Sequence, residues 1–239
     1  MKNNELVITR WHCGPPRSGN GGYTSGLLGQ AVGGTATVRL MIPPPLDTPL
    51  AITEEDAGLV LMAGETVVAR GRADTLTLEV PEAPSWDEAA DASKGFPGFV
   101  RHSFPTCLVC GTARSPGDGL RIFPGPLSGR QVLATTWVPD QVLCSSGGQV
   151  DVPYVWAALD CPGAFAVMPE ESDVALVLGQ FTVRIERRPL CGVRCVVVAW
   201  PLGNEGRKFF AGSAIYAEGG ELLAFAKAVW ISVPASAWG

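Results

Sequence analysis

Residues 151–167 read DVPYVWAALDCPGAFAV. Val152, Val155, Trp156 and Leu159 recur at i, i+3, i+4 and i+7, which sets four bulky apolar side chains on one face of a helix. Asp151 suits the N-cap, and Pro153 suits the first turn, where a missing N–H costs nothing. Pro162 and Gly163 are expected to stop the helix. Asp160 then falls in the last turn, where a helix C-terminus disfavours negative charge. An apolar helix carrying one ill-placed acid, followed by β-rich sequence, predicts a sheet-wrapped helix with a site at its end.

The totals agree with such a plan. At 239 residues and 46% hydrophobic content the chain can bury one large domain or two smaller ones. A net charge of -5 without a basic run makes nucleic acid an unsuited partner. The 29 Gly and 20 Pro, set among short β-branched runs, predict many strands and turns. No apolar run reaches the ~18 residues of a membrane span, and the first residues, MKNNELVITRW, lack a signal-peptide pattern. A cytoplasmic location is expected, with the seven cysteines as free thiols apart from one candidate metal pair.

In order, Leu6 to Trp11 reads as a strand. Residues 13–34, CGPPRSGNGGYTSGLLGQAVGG, read as a Gly-rich loop feeding a helix from Tyr23 that ends at Gly33-Gly34. Such a loop lets backbone N–H groups approach a ligand, although a structural turn is an equal reading. Strands are expected at 35–41, 50–53, 58–62, 65–72 and 75–80. Residues 82–119 carry no period and read as a linker containing His102, Cys107 and Cys110. Its Trp86, Phe96, Phe99 and Phe104 predict that it packs down on the fold. Further strands are expected at 120–123, 132–138, 181–187, 193–200, 209–217 and 222–233.

The two halves echo each other. Thr37-Val38-Arg39-Leu40 and Thr182-Val183-Arg184-Ile185 each precede a proline break, at Pro43 and Pro189. Gly64-Glu65-Thr66-Val67-Val68-Ala69 matches Gly220-Glu221-Leu222-Leu223-Ala224, and each opens a strand with a basic residue before an alanine, Arg72 and Lys227. Two anchors in one order predict a duplicated unit, over 1–81 and 120–239.

Element order, Asn20-Gly21-Gly22 at the first helix start and Ala158-Leu159-Asp160 in the second helix make the chain resemble the hotdog-fold acyl-CoA thioesterases in their double-hotdog form. The resemblance implies an α+β fold of two tandem hotdog units, each a curved antiparallel sheet wrapped around a helix. It implies hydrolysis of an acyl-CoA or related thioester, coenzyme A entering only as part of the substrate, with the pantetheine arm between the halves. Asn20, Gly21 and Gly22 would polarise the thioester carbonyl and Asp160 would activate water. A Thr would contribute from a strand, with Thr182 in roughly the right one, while the Gln the family carries near its last strand is absent at Ala226-Lys227-Ala228-Val229. Two other readings follow: a hotdog hydratase or dehydratase, disfavoured by having only His12 and His102, and a non-catalytic acyl-CoA-binding protein, favoured by the missing Gln. Pairing into a homo-oligomer is expected by analogy alone.

Thioester hydrolysis needs a positioned water, a base and donors aimed at the developing oxyanion. Asp160 could serve as base, burial raising its pKa, or could cap the backbone after Pro162. A Ser–His–Asp triad is not expected, since G-x-S-x-G is absent. His102-x4-Cys107-x2-Cys110-Gly111 resembles half of a zinc site, whose fourth ligand would be remote, at Cys144, His12 or Cys13. Buried or linker thiols are the default for this pair, and Cys191 and Cys195 are expected to pack. Arg17, Arg101, Arg114, Arg121, Arg187 and Arg188 are candidates for coenzyme A phosphates.

Overall fold

The computed structural model describes residues 6–145, 147–169 and 173–237; the first five residues of the MKNNELVITRW stretch lie outside them. The strands are β1 (Leu6–Val7), β2 (Ala36–Leu40), β3 (Pro49–Glu55), β4 (Gly58–Ala63), β5 (Thr66–Ala73), β6 (Gly125–Pro126), β7 (Leu133–Trp137), β8 (Val174–Ile185), β9 (Cys195–Glu205), β10 (Lys208–Ala217) and β11 (Leu222–Pro234). The α-helices are α1 (Gly21–Val32), α2 (Trp86–Ser93) and α3 (Val152–Ala166). The strands form one 11-stranded antiparallel sheet in the order β1-β3-β4-β5-β2-β8-β11-β10-β9-β7-β6.

Within this sheet β1-β3-β4-β5-β2 and β7-β9-β10-β11-β8 follow the same order, each with its helix between its first two strands. They meet where β2 pairs with β8 and Thr37 stands opposite Thr182; the two hydroxyls are 2.6 Å apart. Arg72 pairs with Thr37 and Lys227 with Thr182, so the two basic residues noted in the sequence hold the same register. Helix α1 packs on β2, β4 and β5, α3 packs on β8 to β11, and the helices pack on each other.

The helix contact is close because α1 presents a glycine stripe. A Cβ on Gly26 would lie 2.6 Å from Pro153 Cα, and one on Gly29 would lie 2.3 Å from the Trp156 ring. Helix α3 does not stop at Pro162 but runs to Ala166. Burial outweighs the proline penalty there: every residue from Val155 to Ala164 is buried, and Ser213 Oγ donates to the Leu159 carbonyl at 2.6 Å, beside the interrupted ladder. Asp160 is therefore in mid-helix, not at its C-terminal turn. Asp151 occupies the N-cap position but makes no side-chain cap bond.

Other expectations need correction. The strand from Leu6 shrinks to two residues before a 3₁₀ turn at Arg10–His12. Residues 75–80 and 120–123 lie outside the sheet. Their apolar pattern reflects burial: Ile122 is fully buried, and the N–H groups of Leu120 and Ile122 donate to the carbonyls of Leu108 and Val109. Residues 82–119 carry α2, opened by a capping box between Ser85 and Glu88. Period-two alternation in β9 explains α2: Cys195 and Val197 face the α3 core while Val196 and Val198 join Ala89 and Ala92 on the other face. Cys144 and Cys191 are disulfide-bonded rather than free, brought together by the Gln149–Leu190 bridge.

Trp156, 2% exposed, packs edge-on to Phe181 at 5.6 Å and fills the space over Gly29. Trp156→Ala is expected to lower unfolding free energy by roughly 3–5 kcal/mol in urea titrations, as truncation of a buried aromatic does.

Candidate functional site

The start of α1 is built around Asn20. Its Oδ1 accepts the Tyr23 N–H at 2.8 Å as an N-cap. That fixes its Nδ2, which donates to Asp160 Oδ2 at 2.9 Å. The Gly22 N–H donates to the same oxygen, also at 2.9 Å. Only glycine fits at 22, since a Cβ there would lie 2.4 Å from Asp160 Cβ. Asp160 is 2% exposed, and its Oδ1 has no partner among the described residues. Burial pushes its carboxyl up to about 7, the Gly22 and Asn20 donors pulling the other way and Cys107 adding to the rise.

Asn20, Gly21 and Asp160 line a cavity of 660 Å³. Its walls come from both halves and the connection between them: the 14–21 loop, the segment after β2 from Leu40 to Pro44, residues 97–110, the second half of α3, and β8 and β11. The sheet wall is apolar, formed by Leu176, Leu178, Trp230 and Ile231. The site thus joins a clamped carboxylate, a helix N-terminus and a mainly hydrophobic chamber, which suits an acyl chain bearing one reactive polar group.

The expected residues divide. Asn20, Gly21 and Asp160 converge. The Gly22 N–H is taken by Asp160, while Gly21, the first residue of α1, lines the cavity. Thr182 is outside the cavity, holding the β2–β8 junction with Thr37, which donates to Asp74 at 2.7 Å. Of the six arginines, Arg101 lines the cavity. Arg114 is committed to the carbonyls of Thr106 and Trp11 and to Asp118, Arg121 to the Arg114 carbonyl, Arg187 to Glu221, and Arg188 to Gln149.

The expected metal set is also rearranged. His102 lines the cavity, but its Nε2 faces the Cys110 carbonyl at 2.9 Å and its Nδ1 accepts the Phe104 N–H at 3.0 Å. One neutral tautomer satisfies both, leaving no lone pair for a metal. His12 stacks on Tyr23 at 4.1 Å and bonds Thr9 and Tyr154. Cys13 donates to the Thr106 carbonyl and Cys144 is in its disulfide. The residue that joins Cys107 and Cys110 is Cys161, next to Asp160, and its Sγ is 3.6 Å from that of Cys107. The sequence signal for it was weak: a single cysteine in an apolar helix, 54 residues from its neighbour.

The large antiparallel sheet and the one helix packed on each half of it are those of a hotdog-type α+β fold. Among solved structures the chain resembles a tesB protein of Mycobacterium avium subsp. paratuberculosis, with a TM-score of 0.60 at 12% identity over 96% of this chain and 91% of that one. It also resembles the acyl-CoA thioesterase II TesB2 of Mycobacterium marinum, with a TM-score of 0.55 at 10% identity over 84% of this chain and 80% of that one. No protein-family model and no curated protein sequence matches the chain. The likeness is therefore one of fold. Among the described residues no helix is long and apolar enough to cross a membrane.

Two outcomes test this geometry. Gly→Ala inside a helix normally stabilises by up to about 1 kcal/mol, but Gly22→Ala must displace Asp160 and is expected to destabilise by about 1–3 kcal/mol in chemical denaturation, as overpacking does. Burial, with Arg114 adding, holds His12 down at about 4, below its ordinary 6.5. The unfolded chain therefore binds the proton first. Stability from neutral His12 is present above pH 6.5 and is lost as the pH falls toward 4. The melting temperature of wild type should fall more steeply across that window than that of His12→Gln.

Proposed function

We propose that this protein is an acyl-CoA thioesterase-type hydrolase built from two hotdog units, over 1–81 and 120–239, joined by 82–119. The duplication is supported by the matching strand orders, by Thr37 and Thr182 facing each other at the junction, and by Tyr23 and Tyr154, each three residues past its helix N-cap, packed at 5.3 Å.

One observation carries the activity: a buried carboxylate with one oxygen clamped and the other without a partner, in the wall of an apolar cavity beside a helix N-terminus. Asp160 Oδ1 takes a proton from water as that water adds to the thioester carbonyl. The Gly21 N–H and the α1 terminus favour the negative charge that develops on the carbonyl oxygen. Collapse of the adduct breaks the C–S bond, the proton on Asp160 passes to the leaving sulfur, and thiol and carboxylic acid are released with the carboxylate restored. Asn20 holds Asp160 in place and thereby fixes which oxygen meets the water. The acyl chain lies along Leu176, Leu178 and Trp230.

The apolar sheet wall also favours a second reading, a non-catalytic acyl-thioester-binding protein, since β8 and β11 offer the cavity no Gln or Thr. A hydratase reading is disfavoured, because His12 is outside the cavity and His102, which lines it, has both ring nitrogens bonded to backbone groups. Hydrolysis assayed by released thiol across short, long and aromatic acyl-CoAs separates the first two. The enzyme reading expects turnover that falls ~10²-fold or more in Asp160→Asn, the size of a lost general base, with ligand binding retained. Binding by thermal shift without turnover on any member of the panel would replace it with the binding protein.

A further inference from the structure

Cys107, Cys110 and Cys161 are buried and bring their three sulfurs within 4.8 Å of one another. A tetrahedral zinc with thiolates at ~2.3 Å sets its sulfurs ~3.8 Å apart, and Cys107 and Cys161 already stand at 3.6 Å. The backbone is arranged for thiolates. The Val109 N–H donates to Cys107 Sγ at 3.4 Å, and Asn20 Nδ2 lies 3.8 Å from Cys107 Sγ and 3.9 Å from Cys161 Sγ. The Cys107–Gly111 turn closes through the Gly111 N–H on the Cys107 carbonyl at 3.0 Å. A Cβ at 111 would lie 2.4 Å from that carbonyl oxygen, so the turn that brings both sulfurs inward requires glycine. N–H donors on a sulfur stabilise its anionic form and orient it as a ligand. Buried thiolates in turn need a cation to offset their charge.

We propose that Cys107, Cys110 and Cys161 bind one zinc ion, its fourth position opening on the cavity beside Asn20 and Asp160 and taken by water. Three protein ligands and one exchangeable position are the pattern of a zinc site open to ligands. Iron–sulfur clusters call for four cysteines, and with His102 engaged at both nitrogens the described residues supply three ligands here. The site does not depend on the thioesterase reading, since it would stand equally in a binding protein.

The test is metal analysis of the full chain, purified from zinc-supplemented culture under reducing conditions without a metal-affinity tag. One zinc per chain is expected by mass spectrometry. Cys107→Ser, Cys110→Ser and Cys161→Ser should each retain less than a tenth of it, while His102→Ala and Cys195→Ser retain it. After chelation, cobalt(II) added to wild type should give the intense visible bands of a tetrahedral ion and a near-ultraviolet thiolate charge-transfer band, a readout that does not depend on the cysteine variants folding. Zinc at background together with no cobalt–thiolate band would overturn the proposal. So would stoichiometric copper or iron in place of zinc, or loss of zinc in His102→Ala with the three cysteine variants still loaded.

Discussion

The carboxylate of Asp160 is inside a helix, and a charge placed there survives only with donors around it. Asn20 and Gly22 supply them from the opposite helix. That contact ties α1 to α3 across the junction of the two sheet halves. It forces glycine at 22, orders the Asn20 side chain that also caps α1, and leaves one buried carboxylate oxygen without a hydrogen-bond partner among the described residues. The cavity lies beside this tie, lined by the 14–21 loop and by residues of the 97–110 segment.

The halves share an order but differ at the helix crossing. Nine residues past its N-cap, α3 carries Asp160, and at the same distance past its own N-cap α1 carries Gly29. Where one crossing is a carboxylate between donors, the other is the Trp156 indole laid over Gly29. A polar pocket at one crossing thus faces a packed aromatic plug at the other.

The sequence disclosed the fold better than the site's wiring. Hydrophobic periodicity marks α3, the glycine-rich turn marks α1, and the paired Thr-Val-Arg blocks mark the strands that meet at the sheet junction. Local rules failed where tertiary burial overrode them. Pro162 interrupts the ladder of α3 without ending it, because the segment around it is wholly buried and Ser213 meets a nearby carbonyl. Residues 75–80 and 120–123 carry strand-like patterns that report burial under loops. Gly22, Gly26 and Gly29 repeat at helical spacing, a legible sign of close helix approach that explains α1 as well as any motif does. Cys161 was invisible as a partner of Cys107 because nothing local links residues 54 apart, and Thr182 lies in β8 but faces Thr37, not the cavity.

The most direct measurement is a crystal structure of the protein with a non-hydrolysable acyl-CoA ketone, in which a methylene replaces the thioester sulfur. The account predicts the ketone oxygen within hydrogen-bonding reach of the Gly21 N–H, an ordered water on Asp160 Oδ1 facing the carbonyl carbon, and the acyl chain against Leu176, Leu178 and Trp230. A ligand seated outside this cavity, or one whose carbonyl lies away from both Gly21 and Asp160, would contradict it.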